Sequence, residues 1–234
     1  MGLLGLIFGP RRAPTNGYFT VGASAPLPPR EFGLYAVKES YTSSIRLVDE
    51  LVTKAPSDGD CFFLRAKEKP RHLIYHHTFA LLSAYKNYLD AANQIVVGQV
   101  ALAFKQGISA GFEWMAAQNI PDADFEKRKP DYVRWSELMA TMYSEAMAVD
   151  TRARFVAPSQ QLSQSDEKLT KFFVENIVRS YDDDNSFVGR GRALPSADDR
   201  ALLAHFVSHN VSSLFNQLDK SVRFVPTRHP RVTH

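Results

Sequence analysis

The chain has 234 residues, of which 44% are hydrophobic and 23% are charged, and its formal net charge is +3. This composition excludes the disordered and collagen-like classes and supplies enough apolar residues for a large core. The single cysteine, Cys61, excludes an intramolecular disulfide framework and favours a reducing, intracellular compartment.

Residues 1–34 are predicted to form an extended N-terminal arm. The segment is rich in proline, which favours extended backbone, and it holds Arg11, Arg12 and Arg30 with no acidic residue before Glu31. An acid-poor, arginine-containing start is typical of organelle-import segments and predicts a mitochondrial location. Its apolar run is too short for a secretory signal or a membrane span.

Residues 35–221 are predicted to form one helical domain. Hydrophobic residues recur at three- and four-residue spacings over 37–54, which indicates one helix face. A short helix is expected over 61–69. The lack of proline from residue 71 to residue 118 predicts a long central helix or a kinked pair. The only strand-like runs are 152–158 and 221–225, so we expect a mainly α, multi-helix bundle.

Sequence signals mark the starts of three further helices. Pro130 suits the first position of a helix that runs through Met147. Ser163 with Asp166 is typical of an N-terminal cap. The run PSADD at 195–199 predicts a second cap. Residues 222–234 then form a predicted extended C-terminal arm, again basic and without an acidic residue.

Three small residues spaced by four, Ala103, Gly107 and Gly111, predict a ridge that another helix can approach closely. The surrounding residues 95–117 are apolar enough to suggest a membrane span. Lys105 and Glu113 interrupt the run, however, and a central lysine costs roughly 2.5–3.5 kcal/mol on insertion. We therefore expect a helix buried in protein and no transmembrane helix, and leave open whether this region contacts a membrane.

Two histidine pairs have the four-residue spacing of a helical metal site, His72 with His76 and His205 with His209. Helical projection places both pairs on polar faces, and Asn87 shares the face of His76. We therefore predict exposed or partner-facing histidines, with no metal and no cofactor.

Residues 58–63 read DGDCFF, and Arg65-Ala66 follows after Leu64. This segment resembles the nucleophile segment of the ovarian-tumour (OTU) family of cysteine deubiquitinases, which typically reads Asp-Gly-Asn/Asp-Cys-Leu/Phe-Phe and then Arg-Ala. The resemblance implies that Cys61 is a nucleophile and that the amides of residues 58–61 hold the oxyanion. A helix N-terminus would stabilise the thiolate of such a cysteine.

A structural role for Cys61 is the alternative, and we prefer it. Residues 57–60 then form a turn, Asp60 caps a short helix, and Cys61 packs inward. In the OTU family the later catalytic histidine is normally followed by an aromatic residue in a strand-rich half. Here His229 precedes proline and residues 163–220 are predicted to be helical.

These patterns together predict a non-catalytic structural or accessory subunit of a large multiprotein assembly. Both terminal arms and the ridge at 103–111 would contact other subunits. A mitochondrial respiratory complex or ATP synthase is the most specific assignment. A viral or phage shell protein would share many of these features, and the well-mixed central charges do not favour nucleic-acid binding.

Overall fold

The computed structural model describes residues 17–54, 71–91, 98–156, 162–183 and 196–227. This part of the chain is mainly α, as predicted, and forms a helical bundle with a small antiparallel sheet of two strands. Its elements are β1 (Gly17–Val21), α1 (Pro29–Lys54), α2 (Arg71–Ala91), α3 (Gln99–Asn119), α4 (Phe125–Val156), α5 (Leu162–Asp183), α6 (Ala197–Ser221) and β2 (Val222–Pro226).

Helix α2 is the centre of the bundle, because it packs against α1, α4, α5 and α6. Every residue from Leu73 to Leu89 is buried except Tyr75 and Lys86, which are partly exposed. A helix covered on so many sides has little solvent-facing surface. Its polar side chains therefore need hydrogen-bond partners within the protein.

The predicted long central helix over 71–118 is two helices, the second of the two alternatives. Helix α2 ends at Ala91 and α3 begins at Gln99, while residues 92–97 lie outside the described ranges. Gly98, directly before α3, has a φ of 105°, a backbone conformation that side-chain-bearing residues rarely adopt. A glycine in a non-helical conformation thus directly precedes α3, in a part of the sequence that contains no proline.

Helix α4 begins earlier than the sequence suggested, and Pro130 lies inside it. A 3-10 turn, Asp122–Asp124, leads directly into α4 at Phe125. Pro130 has no N–H to offer to the carbonyl of Glu126, so one intrahelical hydrogen bond is missing near the start of α4. The strand-like run beginning at residue 152 is wrongly assigned too, because residues 152–156 are the last turn of α4.

The two predicted caps have different outcomes. Helix α5 already begins at Leu162, so Ser163 lies within the helix and not at the position before it, where a cap was predicted. Ser196 does cap α6. Its hydroxyl accepts the N–H of Asp199 at 3.0 Å, and the Asp199 carboxylate accepts the N–H of Ser196 at 2.9 Å. This reciprocal capping box satisfies two amides that the first turn of a helix leaves without partners.

The described parts of the two terminal arms pair with each other. Strands β1 and β2 run antiparallel, with Gly17 opposite Pro226 and Val21 opposite Val222, so the strand predicted at 221–225 is confirmed. The extended N-terminal stretch is shorter than predicted, because α1 begins at Pro29. Proline suits this first helical position, where no intrahelical acceptor is available for an N–H.

Helices α1 and α3 cross with their backbones in direct contact. A Cβ added at Gly107 would collide with the carbonyl oxygen of Arg30, and one added at Gly33 would collide with that of Phe104. A Cβ at Gly111 would come within 2.5 Å of the Cβ of Val37. This part of the predicted ridge is therefore covered by α1 of the same chain, which corrects its assignment to another subunit.

Candidate functional site

The chemistry-bearing side chains of the described chain concentrate on α2. We call His76, His77, Ser83 and Asn87 the α2 polar group; all four are buried. The prediction that His76 lies on an exposed or partner-facing surface is wrong, because α4 packs over that side of α2. The short polar side chains there make hydrogen bonds to neighbouring helices, not to solvent.

His77 joins three helices through its two ring nitrogens. Its Nδ1 lies 2.9 Å from the hydroxyl of Ser44 on α1, and its Nε2 lies 3.2 Å from the side-chain nitrogen of Asn210 on α6. Ser44 donates its only hydroxyl proton to the carbonyl of Ser40, at 2.7 Å. Since the Asn210 amide donates to Nε2, the proton of the neutral imidazole sits on Nδ1 and is donated to Ser44.

This direction of hydrogen bonding argues against a Ser–His catalytic pair. A general base would have to accept the proton of Ser44, whereas Nδ1 of His77 donates to that hydroxyl. Both side chains are also 0% exposed, so no substrate in solution can reach them. Burial lowers the pKa of His77 to about 3, which keeps the ring neutral. These side chains form a buried hydrogen-bonded contact between α1, α2 and α6.

His76 forms a second interhelical hydrogen-bonded contact, with Tyr143 on α4. The hydroxyl of Tyr143 lies 3.0 Å from Nδ1 of His76. Burial lowers the pKa of His76 to about 4, with a smaller contribution from the charge of His72. Burial also raises the pKa of Tyr143. The hydrogen bond therefore joins a protonated tyrosine and a neutral imidazole, and neither group carries a charge.

Asn87 forms the third hydrogen-bonded contact, which again connects α2 with α4. Its side-chain nitrogen donates to the carbonyls of Ser83 and Ser144, at 3.0 Å each, and lies 3.3 Å from the hydroxyl of Ser144. Ser83 donates its hydroxyl proton to the carbonyl of Ala80 at 2.8 Å. The amide of Asn87 thus contacts a backbone carbonyl on each helix and a side-chain hydroxyl on α4.

The remaining histidine pair is arranged differently. His205 and His209 are exposed on α6, as predicted, with ring centroids 6.0 Å apart. Within the described ranges, no three side chains of the metal-binding types His, Cys, Asp and Glu come close enough to hold an ion.

Cys61 and the short helix predicted over 61–69 lie outside the described residues, so the structure does not place the proposed nucleophile. The OTU resemblance stays a prediction. His76 and His77 follow His72 in the chain. Both take part in the buried interhelical hydrogen bonds described above.

Sequence reasoning missed the partners of the α2 polar group. Ser40 and Ser44 lie one helical turn apart on the same side of α1 as Val37, Tyr41 and Val48, all buried. Two serines within such an apolar face could have indicated a buried polar contact. Nothing comparable in the sequence points to the contact with Asn210, which lies 133 positions away from His77.

Comparison of the chain with protein-family models, with curated proteins and with solved structures finds no match. Across the helices that the structure describes, none combines the length and the apolar character needed to cross a membrane.

Proposed function

We propose that the chain is a non-catalytic accessory subunit of a multiprotein assembly, attached to its partner through both terminal arms. The register of the terminal sheet carries this proposal. Gly17 pairs with Pro226, so the segments that precede β1 and follow β2 are attached at the same end of the two-stranded ladder. Two arms distant in sequence are thereby joined to the domain side by side.

The charge of the arms suggests the chemistry of the partner. Residues 1–16 contain Arg11 and Arg12, residues 228–234 contain Arg228 and Arg231, and neither segment has an acidic residue. An acidic protein surface complements this charge. Two arms fixed at one point also bind more tightly together than separately, because binding of the first raises the effective concentration of the second.

The α2 polar group supports the non-catalytic part of the proposal. Its histidines are neutral, buried and hydrogen-bonded between helices, so these side chains stabilise the packing and do not face a substrate. The composition of residues 1–30 favours a mitochondrial respiratory complex or ATP synthase as the assembly. That assignment stays a prediction.

Native gel electrophoresis of extracts from cells that express the tagged chain tests the proposal. We expect the wild type to migrate within a complex, and a variant with serine in place of Arg11, Arg12, Arg228 and Arg231 to migrate as the free subunit. Replacing the arginines of one arm alone should release only a fraction of the subunit molecules from the complex. Raising the salt concentration should have the same effect, because it screens exposed charges.

A matched control removes the same kind of charge elsewhere. Lys127 and Arg128 are exposed on α4, and serine at these two positions should leave the complex intact. A wild-type chain that runs as a monodisperse monomer in native extracts would contradict the proposal. So would an arm variant that remains in the complex.

A further inference from the structure

A cleft of about 410 Å³ opens between α2, α3 and α4. Leu82, Phe104 and Phe112 form its buried apolar floor. Its volume falls within the range of small-molecule sites, about 300–1,000 Å³, and an apolar floor with a few polar groups is typical of them. The cleft shares Phe104 with the α1–α3 crossing, but its lining contains no residue of the terminal arms, so the arm variants above do not alter it.

Positive charge gathers at one end of this cleft. Lys86 and Asp90 lie one turn apart on α2, and Lys105 projects from α3. Desolvation raises the pKa of Asp90, and the nearby charges of Lys86 and Lys105 oppose that rise, so both ammonium groups act on one carboxylate. The two lysines outnumber the single acid at this end of the cleft.

Helix α3 adds to the positive potential there. Ala101, in the first turn of α3, lines the cleft. That turn contains no acidic residue, and the residue before the helix, Gly98, makes no side-chain capping bond. The amides at a helix N-terminus carry partial positive charge and favour an anion.

The opposite end of the cleft is acidic. Ser109 donates its hydroxyl proton to the carboxylate of Glu137 at 2.6 Å, and both residues line the cleft. Ser109 follows Lys105 by four residues on α3, which separates the two ends by roughly 6 Å along the helix axis. A second negative group that reached Glu137 would be repelled by its carboxylate.

We propose that this cleft binds a small amphiphilic monocarboxylate, with the carboxylate between Lys86 and Lys105 and the apolar body on Leu82, Phe104 and Phe112. Charge complementarity fixes the orientation, and the apolar floor supplies the contact area. Glu137 selects against dicarboxylates of the same length. A medium-chain fatty acid has this chemistry.

Titration of the full chain with octanoate, followed by amide chemical shifts, tests the proposal. Octanol, octylamine and suberate serve as the neutral, cationic and dianionic analogues. We expect shifts confined to residues that line the cleft, and octanoate binding about ten-fold tighter than each analogue. Equal binding of octanol and octanoate, or shifts centred elsewhere, would overturn the proposal.

Variants separate charge recognition from nonspecific apolar binding. Lys105→Gln and Lys86→Gln should each weaken octanoate binding by about three-fold, the scale of a partly exposed ion pair, and should leave octanol binding unchanged. Lys105 is exposed, so its replacement does not threaten the fold. Lys127→Gln, exposed on α4 outside the cleft, is the matched control and should bind octanoate like the wild type. Unchanged octanoate affinity in both cleft variants would also overturn the proposal.

Discussion

Acidification should destabilise the domain through the buried side chains of His76 and His77. Burial lowers the pKa of His76 to about 4 and that of His77 to about 3, from the ordinary value of 6.5. Between these native values and 6.5, the unfolded chain binds protons that the native chain does not. The free energy of unfolding therefore falls as the pH decreases through this window, and the stability from the neutral imidazoles is fully present only above about pH 6.5.

The size of this effect follows from the two pKa differences. At pH 5.0 each histidine is almost fully protonated in the unfolded chain and almost fully neutral in the native one. Linkage then gives a loss of about 2 kcal/mol per histidine between pH 7.5 and pH 5.0, or about 4 kcal/mol for both. That is a large fraction of the roughly 5–15 kcal/mol by which domains are stable.

Urea unfolding at pH 7.5 and pH 5.0, followed by circular dichroism at 222 nm, measures the difference. Replacing His76 and His77 by glutamine should lower the stability at pH 7.5 but remove most of the pH dependence. If the double variant does not fold, either single replacement should remove about half of it. Glutamine at the exposed His205 and His209 is the control and should retain the wild-type loss. A wild-type loss below about 1 kcal/mol, or an undiminished loss in the buried variants, would refute the reasoning.

Three further predictions concern the helix crossing, the helix cap and the cysteine. Gly107→Ala should destabilise the domain by about 1–3 kcal/mol in thermal unfolding, because the added methyl group collides with the backbone at Arg30. Helix propensity alone would make the same variant more stable by about 1 kcal/mol. A stabilised variant would therefore show that α1 and α3 do not touch at this position. Ser196→Ala should lose about 1 kcal/mol in urea unfolding with the capping box, whereas Ser213→Ala, exposed inside α6, should cause no loss because alanine is the better helix former. A ubiquitin-derived electrophilic probe should not label the wild type, and labelling that Cys61→Ala abolishes would favour the OTU interpretation.

The position of the α2 polar group shows what the sequence can and cannot predict. Helical periodicity correctly placed polar residues of α2 on one face, but it does not tell what covers that face. A signal was nevertheless present, because Lys86 is the only charged residue between Leu73 and Leu89. Short polar side chains such as those of His76 and Asn87 can be buried once they are hydrogen-bonded, whereas a solvent-facing helix surface usually carries Lys and Glu.

The ridge on α3 was predictable from spacing, but its partner was not. The spacing of Gly107 and Gly111 predicts that another helix packs closely against α3. Nothing in the neighbouring sequence tells whether that helix belongs to the same chain or to another subunit. The complementary residue is Gly33 on α1, whose own added Cβ would collide with Phe104. Gly33 and Gly107 are far apart in the sequence, so their packing against one another can be recognised only in the folded structure.

The attachment that we propose requires a firm connection between the terminal sheet and the helices, and the aromatic core provides one. Phe19 on β1 is 0% exposed and stacks on Phe32 of α1 with ring centroids 4.3 Å apart. Phe32 in turn lies 5.8 Å from the ring of Phe104 on α3, next to the crossing at Gly33. Because close-packed side chains have few alternative arrangements, the position of β1 is fixed relative to α1 and α3. The arms would then hold a rigid domain in one orientation on a partner, which is the role of a structural subunit and needs no catalytic group.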